Sequence, residues 1–107
     1  MTTTVWCTFS FEALHLWDEA PEPVEFLRHP HRHKFEVMME WRVNHNDRDR
    51  EFILEGRRGL QYVNTLLQSQ STLKWSCETW ANQLRAHFKA HRVTVSEDGE
   101  NGATVTL

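Results

Sequence analysis

His31-Arg32-His33 and, upstream, a lone His15 are the residues of this chain whose types and spacing can do metal chemistry. On a β-strand alternate side chains share a face, so His31 and His33 point the same way. His15 ends a run whose odd positions, Val5, Cys7, Phe9, Phe11 and Ala13, are apolar, which places it on that run's buried face. Three imidazoles from two strands can therefore meet at one point and leave a fourth position open. That is the ligand pattern of a catalytic zinc, whereas a structural zinc is usually closed by four protein ligands.

The elements that must position these rings follow from periodicity. Residues 3–15 alternate β-branched and aromatic residues with Thr4, Trp6, Thr8, Ser10 and Glu12, and read as a strand. Asp18, Pro21, Pro23 and Pro30 mark residues 16–30 as a loop. Residues 31–43 alternate again, with Phe35, Val37, Met39, Trp41 and Val43 sharing the parity of the two histidines. From about Arg48 the period becomes helical, with Phe52, Ile53, Leu60, Val63 and Leu67 as the apolar positions and Gly56 and Gly59 weakening the pattern. Residues 68–72 form a polar loop. Ser76 caps a second helix whose buried stripe is Trp80, Leu84 and Phe88. Arg92–Glu97 and Ala103–Leu107 read as strands around a five-residue hairpin loop, residues 98–102. The order is strand, strand, helix, helix, strand, strand, in one domain spanning 1–107.

Bulk properties exclude several classes of function. Of the 107 residues 25% are charged and 39% hydrophobic, the balance of a soluble globular domain rather than a disordered chain. A net charge of −3 gives no support for a nucleic-acid or anionic-membrane partner. Arg48, Arg50, Arg57 and Arg58 do cluster, but Asp47, Asp49, Glu51 and Glu55 interleave with them as on a solvated helix face. No apolar run is long enough for a signal peptide or a membrane span, and Cys7 and Cys77 form no CxxC pair, so a reducing cytoplasm with free thiols is the expectation.

Strand order and histidine spacing together resemble the family of 6-pyruvoyl-tetrahydropterin and 6-carboxy-tetrahydropterin synthases, over nearly the whole chain. Phe11-Glu12-Ala13-Leu14-His15 matches the segment of the family's first zinc ligand, and His31-Arg32-His33 matches its His-Gly-His pair. Glu51-Phe52 stands where the family opens its first helix with Asp-Phe, and Ser76-Cys77-Glu78 where it has a Thr-x-Glu helix start. Val95-Ser96-Glu97 stands where its last long strand carries the glutamate that grips the pterin ring. The resemblance implies a tunnelling fold: a ββααββ subunit of class α+β, with a four-stranded antiparallel sheet and two helices on one face. It further implies Zn2+ on His15, His31 and His33, and a reduced pterin or purine-like ligand contacted by Glu97, Cys77 and Glu78. The assembly it implies is a homohexamer, a dimer of trimers that covers the sheet edges. A carboxylate such as Glu97 suits the ligand because it accepts two parallel hydrogen bonds from a 2-amino, N3–H edge.

The departures concern proton transfer. Leu27 stands where the family carries its loop cysteine, Gln68 and Ser69 where it has an Asp-His dyad, and Arg32 replaces the glycine between the ligand histidines. Glu25 and His29 are the candidate catalytic replacements, each weighed against a plain role as a solvated loop residue. Cys77 is a reserve nucleophile, since a helix start lowers a thiol pKa, and otherwise a small N-terminal helix residue. Cys7 reads as core; His45, Asp47 and Asp49 as turn and cap residues; His87 and His91 as surface. Three functions follow as expectations. One is a zinc-dependent lyase acting on dihydroneopterin triphosphate or a related pterin, in pterin or deazaguanine biosynthesis. The others are a repurposed member that binds such a ligand without turnover, and a small structural domain whose histidines hold no metal.

Overall fold

A computed structural model describes all 107 residues. Strands β1 (Thr3–His15) and β2 (His31–Val43) form a long antiparallel hairpin, and helix α1 (Phe52–Leu66) follows. Helix α2 (Cys77–Phe88) then leads into β3 (Arg92–Glu97) and β4 (Asn101–Thr106). The strands make one antiparallel sheet in the order β1-β2-β3-β4, so the fold is α+β with the ββααββ arrangement. Both first strands have the limits that alternation predicts. The loop between them contains a single 3-10 turn, Glu25–Arg28, and a second such turn, Gln70–Lys74, joins the helices.

One face of the sheet is buried. Phe35, Val37, Met39 and Trp41 of β2 and Val93 and Val95 of β3 are at most 2% exposed, packed with Val63 of α1 and Trp80, Ala81 and Leu84 of α2. Burying a large apolar side chain is worth about 1.5–3 kcal/mol, so this stripe dominates the stability of so short a chain. Ser76 caps α2 by accepting the Thr79 N–H at 3.1 Å, as its position predicts.

Helix α1 corrects the sequence reading. Phe52, Ile53 and Leu60 are exposed, and the residues buried against the sheet are Glu55, Gly59 and Val63. Gly59 faces the Phe9 ring so closely that an added Cβ would lie 2.5 Å from it, which is how the helix approaches β1. Glu55 is buried and paired with Arg58 at 3.0 Å and Arg50 at 3.5 Å. The apolar residues left outside flank the unpaired edge of β1, together with Trp6 on the strand's other face. The second hairpin is also tighter than expected: β4 begins at Asn101, and only residues 98–100 turn the chain.

Candidate metal centre

The strand ladder determines which side chains meet at one end of the sheet. Register pairs His15 with His31 and Ala13 with His33, so the three histidines are immediate cross-strand neighbours on the helix-covered face. Phe35 pairs with Glu97, which shares parity with the buried Val93 and Val95 and reaches the same place from the third strand. Ring centroids of the histidines are 4.4–5.0 Å apart, with interplanar angles of 65–87°. The rings thus stand edge to face around a common point rather than in a stack. Their ligand nitrogens lie within 4.8 Å of one another, and the group can hold a metal ion.

The protonation pattern fits that use. His31 Nδ1 lies 2.7 Å from the His29 carbonyl oxygen, and His33 Nδ1 lies 2.6 Å from Asp98 Oδ2. A carbonyl and a carboxylate can only accept, so both Nδ1 atoms carry the proton, and in the neutral ring the lone pair sits on Nε2. All three Nε2 atoms are buried and have no hydrogen-bond partner. A buried polar atom without a partner costs roughly 1–3 kcal/mol, and three at one point are what an ion would satisfy. Burial is the main reason that the His15 pKa lies below its ordinary value, with the neighbouring His31 and His33 pushing the same way against Glu97 and the Trp75 backbone. Neutral imidazole is the form a metal takes.

Glu97 lies beside the nitrogens, Oε1 at 3.5 Å from His15 Nε2 and Oε2 at 3.3 Å from His33 Nε2. These are ion-pair separations without hydrogen-bond geometry, so the carboxylate adds negative charge at the cluster and keeps accepting capacity for another partner. The Cys77 thiol lies 3.7 Å from Glu97 Oε1 and donates to it. Burial first, and the Glu97 charge second, push that thiol up to about 12, so the expected activation by the helix start is not found. Cys7, also buried, is raised to about 11, consistent with a core residue.

A cleft of about 500 Å³ opens on the cluster, with His15, His31, Cys77, Glu78 and Glu97 in its wall and Trp17 and Trp75 among its apolar surfaces. Glu25 and His29 are exposed on the loop and are not part of this wall. The backbone of His29, not its ring, contacts the site. Asp98, read from the sequence only as a loop residue, is the functional neighbour that sequence reasoning missed. Its signal was an acidic residue directly after Glu97 in a tight turn, where Asp tolerates the left-handed backbone it adopts (φ 57°). A larger apolar cavity of about 700 Å³ lies between β1 and α1 and includes none of the three histidines. No protein-family model and no curated protein matches this chain.

Proposed function

We propose that the chain is a zinc-dependent protein of the tetrahydropterin synthase type, acting on dihydroneopterin triphosphate or a related reduced pterin. The observation that carries this reading is the set of three partnerless Nε2 atoms, two of whose rings, His15 and His31, line a cleft that also presents the Glu97 carboxylate. His15, His31 and His33 would hold the ion through Nε2, leaving a coordination position for substrate. Bound zinc supplies Lewis acidity, polarising substrate oxygens so that a neighbouring carbon-bound proton becomes acidic. Glu97 accepts the donor edge of the heterocycle, while Trp17 and Trp75 offer apolar surface to its flat ring. Cys77 and Glu78 lie on the same wall. The product would feed pterin or deazaguanine synthesis in the cytoplasm, a setting that accords with two free, buried thiols.

Assembly belongs to the same proposal. A 13-residue edge strand flanked by exposed Phe52, Ile53 and Leu60 needs covering. A second and equal copy of the chain can do this, and we propose a homohexamer of two trimers. No helix is long and apolar enough to cross a membrane.

A second reading, binding without turnover, is favoured by the proton carriers. Cys77 is held as a thiol, and Glu25 and His29 stand outside the cleft wall. The experiment is to load the protein with zinc, add dihydroneopterin triphosphate and follow substrate and products by liquid chromatography with mass detection. Turnover that stops with a chelator supports the lyase. Saturable binding of the pterin without product supports the second reading, and neither binding nor turnover contradicts both.

A further inference from the structure

Asp98 makes two contacts that together are unusual for a turn residue. Its Oδ1 accepts the Lys34 backbone N–H at 2.9 Å, and its own N–H donates to the Lys34 carbonyl at 2.8 Å. The residue is thereby held against β2 at two points, one through its backbone and one through Oδ1, and its second carboxylate oxygen, Oδ2, is aimed at His33 Nδ1 at 2.6 Å. The exposed His45–Asp49 pair at 3.3 Å lies within one loop and has no partnerless nitrogen on the far side of its ring. At His33 the far nitrogen, Nε2, is one of the three buried atoms without a partner.

We infer that Asp98 is a positioning residue for the metal centre: its anchored carboxylate keeps the proton of His33 on Nδ1 and so presents the Nε2 lone pair to the ion. The inference deepens the metal-centre reading above and rests on it. Ligand histidines commonly have such an outer partner, which orients the ring and raises its basicity, and losing it costs about 10–100-fold in metal affinity. Here that partner comes from the β3–β4 turn, so the turn and the ligand strand are joined at the metal centre.

Asp98→Asn separates this role from a merely structural one. Asn is nearly isosteric and well tolerated at a left-handed turn position, so a role confined to the turn leaves the variant unaffected. With its Oδ1 still accepting from Lys34, however, the amide turns a donor toward His33 Nδ1. That contact requires a lone pair on Nδ1 and moves the proton to Nε2, where the metal must bind. Zinc affinity, measured by competition with a chromophoric chelator, should therefore fall about 10–100-fold in Asp98→Asn. Nitrogen-detected NMR of the metal-free proteins should find the His33 proton on Nδ1 in the wild type and on Nε2 in the variant.

Wild-type zinc affinity in a folded Asp98→Asn overturns the role of Asp98 while leaving the metal centre intact. A wild-type protein that takes up no zinc overturns the metal centre itself. If the variant does not fold, the wild-type spectrum alone decides: a His33 proton on Nε2 refutes the inference, and one on Nδ1 supports it.

Discussion

Strand β2 carries two regions of opposite character on one face. From Phe35 to Trp41 every second side chain is buried, apolar and packed, and the one polar atom there, the Trp41 indole N–H, donates to the Phe88 carbonyl at 3.0 Å. Two residues earlier the same parity continues into His33 and His31, whose Nε2 atoms are equally shielded from water and have no partner. The backbone is the same ladder in both regions. What differs is whether the buried groups are satisfied by the chain alone. The apolar half is complete as folded, while the histidine half leaves three buried nitrogens that a bound ion could satisfy, and that difference is what marks it as a candidate site.

The largest effect that sharpens this contrast is in the core. Trp80 is 1% exposed and packs its ring against Phe11 and Trp75, so Trp80→Ala should cost about 3–5 kcal/mol in urea unfolding, with or without zinc. The histidine end should behave in the opposite way. Zinc at a thousand times its dissociation constant should stabilise the wild type by about 4 kcal/mol, and His15→Phe, which removes one ligand, should lose most of that gain. A wild-type melting temperature that does not respond to zinc would remove the distinction between the two regions.

A smaller effect tests the ligand side. Glu97→Gln should weaken pterin binding by about 1.5–3 kcal/mol, measured by calorimetry, because the charged acceptor becomes a neutral one. Unchanged affinity would take Glu97 out of the ligand contact.

The smallest effect concerns protons on the metal-free protein. Because the folded His15 pKa lies below its unfolded value, the unfolded chain binds more protons as pH drops below about 6.5. Stability contributed by this group is therefore present above that pH and lost as pH falls toward the lowered folded value. His15→Phe should flatten this slope, and at neutral pH it should cost little or stabilise slightly, since it replaces a partnerless nitrogen with a ring beside Phe35. An unaltered slope in the variant would assign the pH dependence to other groups.

Much of this organisation was legible in the sequence because strands announce themselves through a period of two. The limits of β1 and β2, the shared face of His15, His31 and His33, and the Ser76 cap all follow from local patterns. What failed was local reasoning about tertiary choices. Helical spacing singles out Phe52, Ile53 and Leu60 among the apolar positions of α1 and treats Gly59 as a weakness, but close approach to Phe9 needs Gly59, and the buried Glu55 is paired with Arg50 and Arg58. The role of Asp98 depends on a contact with a residue 65 positions away, which no pattern along the chain encodes. Of the two readings of Cys77, the raised pKa favours the small helix-start residue over the reserve nucleophile: the helix start favours a thiolate, but burial and Glu97 outweigh it.

The central claim is that the histidine end of the sheet is a metal site. Its most direct test is elemental analysis of untagged protein purified without chelator and supplied with zinc, for the wild type and His33→Ala side by side. About one equivalent of zinc per chain in the wild type, and essentially none in the variant, is the result expected for a three-histidine centre. A metal-free wild type, or a variant that retains a full equivalent, would contradict it.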